Sequence, residues 1–107
     1  METRVAGFDW DEGNRAKCEK RGLTAAEIEA FFARAPRVAP DLKHSTSEDR
    51  FIAIGRTTTG RPIFVAFALR ATSRGSLIRP VSARYMHRKE ITKYEKAIPN
   101  EGSAAEN

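Results

Sequence analysis

From Phe51 to Arg70 the chain reads as two strands, Phe51 to Arg56 and Arg61 to Arg70, around a Thr57-Thr58-Thr59-Gly60 break. Gly60 suits the left-handed position of a hairpin turn, so this segment commits the chain to a β-hairpin. In its second strand Ile63, Val65, Phe67 and Leu69 share one face, and Phe64, Ala66, Ala68 and Arg70 the other. The first set must be core. The other face carries small alanines and ends in Arg70, so a partner can approach it closely. A glycine-containing connection, Ala71 to Ser76, leads to a third strand from Leu77, which completes a three-stranded antiparallel meander.

The third strand poses a question of parity. Leu77, Arg79, Val81 and Ala83 fall on one face, and Ile78, Pro80, Ser82 and Arg84 on the other. Arg79 and Arg84 therefore face apart unless a bulge intervenes. Pro80, which has no N–H for a ladder, makes the strand either an edge or irregular at that point.

The remaining elements flank this meander. A short strand is expected between Arg4 and Trp10. A helix from about Asp11 to Lys20, capped by Asp9 or Asp11, should stop at Gly22. It is so polar that it is expected on the surface, with Cys18 no more than a helix-face thiol. Lys17, Lys20 and Arg21 gather at its C-terminal end, where they complement the helix dipole. Thr24 and Glu27 form a capping box for a second helix, whose Ile28, Phe31 and Phe32 are a core stripe and which ends at Pro36. A loop follows to Glu48, with a brief extended piece at Arg37 to Ala39 and His44 in its polar part. A last helix, about His87 to Ala97, sets Ile91, Tyr94 and Ile98 on one stripe. Residues from Pro99 onward are expected to be a disordered tail. The expectation is one α+β domain over residues 1–98, with residues 99–107 as the tail.

The formal charge of +5 is unevenly spread. Residues 50–96 carry +9, whereas residues 1–49 and 97–107 carry −2 each. That favours an anionic partner for the second half. A single cysteine excludes an internal disulfide and a cysteine zinc site. No apolar run approaches the roughly 20 residues that span a bilayer, and no signal segment follows Met1. A cytoplasmic location without a membrane partner is expected.

No phosphate-binding glycine loop and no metal-ligand spacing occur, and His44 and His87 lie too far apart in sequence to be claimed as a metal pair. Neither a metal nor a cofactor is expected. RNA carries its own nucleophile in the 2′-OH, so it can be cut by positioning and charge alone. Arg50, Arg61, Arg79 and Arg84 can supply cations; His44, Glu48 or His87 can move the proton. A non-catalytic module that binds nucleic acid or an acidic partner satisfies the same composition.

The order of motifs narrows these choices. F-D-W-D-E, then N-R-A-K and K-R-G-L-T, then H-S-T-S-E-D-R-F-I-A-I-G-R, G-R-P-I-F-V and I-R-P-V-S-A-R-Y-M-H-R-K-E-I-x-x-Y-E, span Phe8 to Glu95. Together they resemble the BrnT family of type II toxins. The resemblance implies a RelE-like fold, with two helices before an antiparallel sheet, and a ribosome-independent or translation-blocking ribonuclease. It also implies a BrnA-like ribbon-helix-helix antitoxin as partner, RNA as substrate, and operator DNA reached only through the antitoxin. The positions that match the pattern are Lys20, His44, Glu48, Arg50, Arg61, Arg79 and Arg84. Arg21 departs from it, since many members have histidine there, and His87 is absent from many. The expected catalytic set is Arg79, Arg84, His44 and Glu48. The expected RNA-binding set is Lys20, Arg50, Arg61, Arg70, Arg88 and Lys89.

Overall fold

The computed structural model describes residues 5–97. The chain runs β1 (Val5–Phe8), α1 (Glu12–Lys20), α2 (Ala25–Ala33), β2 (Arg37–Pro40), a 3₁₀ turn (Leu42–His44), β3 (Arg50–Arg56), β4 (Pro62–Thr72), β5 (Gly75–Tyr85) and α3 (Arg88–Ala97). The α+β class is as expected. The tail assigned to residues 99–107, and Ile98 of the last stripe, lie outside the described residues.

The sheet is five-stranded and mixed, in the order β1-β5-β4-β3-β2, where the sequence suggested a three-stranded meander. Two short strands account for the difference. The extended piece after Pro36 pairs antiparallel with β3 from Arg37↔Ile54 to Pro40↔Phe51. At the other edge β1 lies parallel to β5. A parallel contact joins segments some 70 residues apart and leaves no local turn signal, so hairpin reasoning does not find it. β4 and β5 also extend beyond the expected strands. Ala71↔Ser76 and Thr72↔Gly75 are paired, so the connection shrinks to Ser73 and Arg74.

One face of the sheet is the core. Ile63, Val65, Phe67, Ile78 and Ala83 pack against Cys18, Leu23, Ile28 and Phe31, with Ala53 beside them. The capping box that starts α2 is formed: Thr24 Oγ1 accepts from the Glu27 N–H at 3.1 Å, and Glu27 Oε1 accepts from the Thr24 N–H at 2.9 Å. It aims the Ile28–Phe31–Phe32 stripe at the sheet, where Phe32 meets Phe67 edge-on at 5.1 Å.

α1 lies on the surface as expected, but its buried stripe is not the expected one. Ala16 is exposed, whereas Cys18 is fully buried and Asn14 is only 6% exposed. Asn14 and Cys18 are one helical turn apart, and that narrow stripe lies along β5. Cys18 is thus a core residue and not a surface thiol, and its burial raises its pKa. Asn14 is fully engaged. Its Nδ2 donates to the Pro80 carbonyl at 2.8 Å and to the Asp9 carbonyl at 3.0 Å, and its Oδ1 accepts from the Asp11 N–H at 2.7 Å. Asp11 Oδ1 accepts from the Asn14 N–H in return, which caps the helix.

Replacing Asn14 by alanine leaves the Pro80 and Asp9 carbonyls without their side-chain donor. We expect Asn14→Ala to cost about 2–3 kcal/mol, measured by urea unfolding, in the range for buried groups left unsatisfied. Asn14→Asp, which turns an acceptor toward the Pro80 carbonyl, should be at least as harmful.

Candidate active site

The parity problem in β5 is solved by a bulge. Ser82 lies opposite Ala66 and Pro80 opposite Phe67, so Val81 is the extra residue of β5 at this step. Past it the alternation restarts, and Arg79 pairs with Ala68 while Arg84 pairs with Phe64. Ala68 and Phe64 share one face of β4, so both arginines stand on the face of the sheet turned away from the core.

Each arginine is held by carboxylates. Arg79 Nη2 donates to Asp11 Oδ2 at 2.6 Å, and its Nη1 lies 3.6 Å from Asp9 Oδ2. Asp9 also reaches Arg70 at 3.7 Å. Asp11 therefore caps α1 with one oxygen and anchors Arg79 with the other. The Asn14 N–H first, and then Arg79, hold its carboxyl below the usual range. Arg84 forms a two-pronged pair with Glu90, at 2.9 and 2.8 Å, and lies over the Phe64 ring at 4.6 Å from its centroid. Glu90 Oε1 also accepts from the His87 N–H at 2.8 Å, so the same carboxylate starts α3 and fixes Arg84. These contacts, Arg84 foremost, pull the Glu90 pKa down to about 2.

Two adjoining pockets lie on this face. One, of about 450 Å³, is lined by Arg50, Arg70 and Arg79 together with Asp11, Glu48 and Lys17. Glu48 Oε2 accepts from Arg50 Nε at 3.1 Å. The other, of about 310 Å³, has Lys17, Lys20, Arg21 and Arg84 around a floor of Phe64, Ala66 and Ser82. Lys17 lines both, so they form one groove, with seven cationic side chains against two carboxylates.

The groove gathers Lys20, Glu48, Arg50, Arg70, Arg79 and Arg84 from the expected set. The other four residues of that set line neither pocket. His44 is 65% exposed, with Nδ1 2.9 Å from Asp41 Oδ2. Arg61 stacks on Tyr85 at 3.7 Å, and Arg88 and Lys89 are exposed in the first turn of α3. Sequence reasoning passed over Asp11 and Glu90 as partners of the arginines. A signal was present for Glu90, which follows His87 by the same three residues that separate Thr24 from Glu27. Among the described residues no cluster of three His, Cys, Asp or Glu side chains is placed to hold a metal ion, and no helix is long and apolar enough to cross a membrane.

Comparison with known families is decisive at this point. The model for BrnT, the ribonuclease toxin of type II toxin–antitoxin systems, matches residues 10–90. The chain belongs to the BrnT family. Among curated proteins no match is found. The BrnT match begins at Trp10 and ends on Glu90, so it takes in Asp11 as well as Glu90, the closest carboxylate partners of Arg79 and Arg84. As a type II toxin, a BrnT chain has a cognate antitoxin.

The Glu90 pair also gives this BrnT protein a pH signature. A carboxyl depressed from 4.5 to about 2 stabilises the fold fully above the higher value, and that contribution is lost as pH falls toward the lower one. Glu90→Gln should therefore lower the melting temperature at pH 7. The gap from the unsubstituted protein should close between pH 4.5 and 2 in a thermal-melt series.

Proposed function

We propose that the groove binds single-stranded RNA and cleaves it without a metal ion, thereby blocking translation. The observation that carries this reading is the bulge at Val81, which sets Arg79 and Arg84 on one face beside Lys17, Lys20 and Arg50. Cleavage by the substrate's own 2′-OH passes through a five-coordinate phosphate with extra negative charge. Cations fixed in advance stabilise that charge at little cost in reorganisation. Arg79, held from two sides by Asp11 and Asp9, is such a cation. Glu48 lines the same pocket and accepts the 2′-OH proton as the 2′-oxygen bonds to phosphorus and the P–O5′ bond breaks, the departing 5′-oxygen taking its proton from water. His44, turned to Asp41, takes no part in this scheme. A RelE-like layout is supported by the two helices that precede the antiparallel β3–β4–β5 pairing, with α3 after it.

The partner is a BrnA-like ribbon-helix-helix protein that covers the groove and brings the pair to operator DNA. Both arginines already pair with carboxylates within the chain, so an acidic antitoxin segment suits the same guanidinium groups. Ribbon-helix-helix proteins dimerise through their own strands, so the complex is expected to hold two copies of each chain. Light scattering that gives a stable 1:1 complex at micromolar concentration contradicts this arrangement.

The catalytic assignment is tested on purified protein with single-stranded RNA, in the presence and absence of EDTA. Arg79→Ala and Arg84→Ala should each lower kcat/KM by roughly 10²–10³, the usual loss for a donor to transition-state charge. Circular dichroism should be largely retained. Arg88→Ala should cost much less. RNA binding without any cleavage would favour the non-catalytic binding module, and EDTA-sensitive cleavage would overturn the metal-free scheme.

A further inference from the structure

The basic end of α1 has a use beyond complementing its dipole. Lys17, Lys20 and Arg21 line a pocket with Arg84, and among the described residues none of the three makes an ion pair. This contrasts with Arg79 and Arg84, which have carboxylates against them. The floor is suited to close approach. Ala66 and Ser82 are small, and the half-buried Ser82 hydroxyl has no hydrogen-bond partner among the described residues. No carboxylate lines this pocket, whereas its neighbour contains Asp11 and Glu48. The two halves of the groove therefore differ chemically. One holds cations with a proton acceptor, and the other holds cations and a hydroxyl alone.

Distance separates them as well. Arg79 and Arg84 pair with Ala68 and Phe64, four residues apart on β4. At about 3.3 Å per residue their Cα atoms stand roughly 13 Å apart. A chain that passes both arginines presents more than one phosphate to the groove.

We infer that Lys17, Lys20 and Arg21, beside Arg84, form an anchoring subsite for a phosphate next to the one that is cut. These three side chains hold RNA by charge, together with the Ser82 hydroxyl, and perform no chemistry. The inference rests on the ribonuclease reading above. It assigns Lys20 and Arg21 to substrate binding and predicts a minimum useful length of RNA.

The test uses the full chain and a series of single-stranded ribo-oligonucleotides lengthened one nucleotide at a time. With the unsubstituted protein, KM should fall stepwise as the RNA grows long enough to enter the pocket. The double variant Lys20→Gln, Arg21→Gln should lose that step, with KM on long RNA raised about tenfold and kcat within about twofold. The log–log salt slope of binding should flatten by about 0.7, the share of a single neutralised phosphate. Ser82→Ala should raise KM in the same direction by less. Both α1 side chains are exposed, so the variants should fold, as far-ultraviolet circular dichroism would verify. A double variant with unchanged KM and salt slope, in a protein that cuts RNA, overturns the subsite and leaves the ribonuclease reading intact. A kcat loss equal to that of Arg79→Ala also overturns it, because the pocket would then be the cleavage site. If the unsubstituted protein neither binds nor cuts RNA, both proposals fall.

Discussion

Pro80 cannot donate to a ladder, yet it stands in β5 between two strands. The structure resolves this with an unpaired Val81 and with the side chain of Asn14, which reaches the Pro80 carbonyl at 2.8 Å. The consequences run in two directions. Inward, the amide fixes α1 along β5, so Cys18 enters the core and the turn at Gly22 delivers Leu23 and α2 onto the sheet. Outward, the bulge resets the alternation, which puts Arg79 and Arg84 on one face. A regular β5 would turn one of the two guanidinium groups into the core, at a desolvation cost that a domain of this size does not sustain. The irregularity in β5 is therefore what makes the cationic face possible.

The cations of that face come in two kinds. Arg79 and Arg84 are held by Asp11, Asp9 and Glu90 before any ligand arrives. Carboxylates in these positions set the geometry, and they also compete with phosphate for the same N–H groups. A polyanion has the advantage where several phosphates act at once, since one carboxylate neutralises one cation. Lys17, Lys20 and Arg21 have no such restraint, and their charge extends into solvent within the screening distance of about 8 Å at physiological salt. In the proposed scheme, encounter and initial grip fall to the unbraced lysines, and charge at the reacting phosphate falls to the braced arginines.

Much of the scaffold was legible in the sequence. The hairpin about Gly60, the capping box of Thr24 and Glu27, and the stop at Gly22 are local signals and are found in place. The need for a bulge if Arg79 and Arg84 were to face the same way followed from counting residues and from Pro80. Other features depended on contacts distant in sequence. The parallel pairing of β1 with β5 has no turn to announce it. α1 looked like a surface helix because its buried stripe is one cysteine and one asparagine, and an asparagine that satisfies buried carbonyls reads as polar. In the site, the cations of β3, β4 and β5 were marked by their position on strands. His44 was marked by its proximity to Glu48 in sequence and by the family resemblance, and the 3₁₀ turn directs it to Asp41 instead. Side chains that point across a turn are not determined by spacing alone.

One nine-residue helix, α1, serves both halves of the groove. Its cap, Asp11, anchors Arg79; its middle, Lys17, borders both pockets; its end brings Lys20 and Arg21 to Arg84. The helix is short, polar and below the length that is stable alone, so its presence depends on docking through Asn14 and Cys18. The groove and the fold are thereby coupled. RNA or an antitoxin that grips Lys17 and Lys20 favours the docked helix, and by linkage the docked helix favours the ligand. The same coupling means that damage at Asn14, well beneath the surface, disperses the cations on both sides of Lys17 without removing any of them.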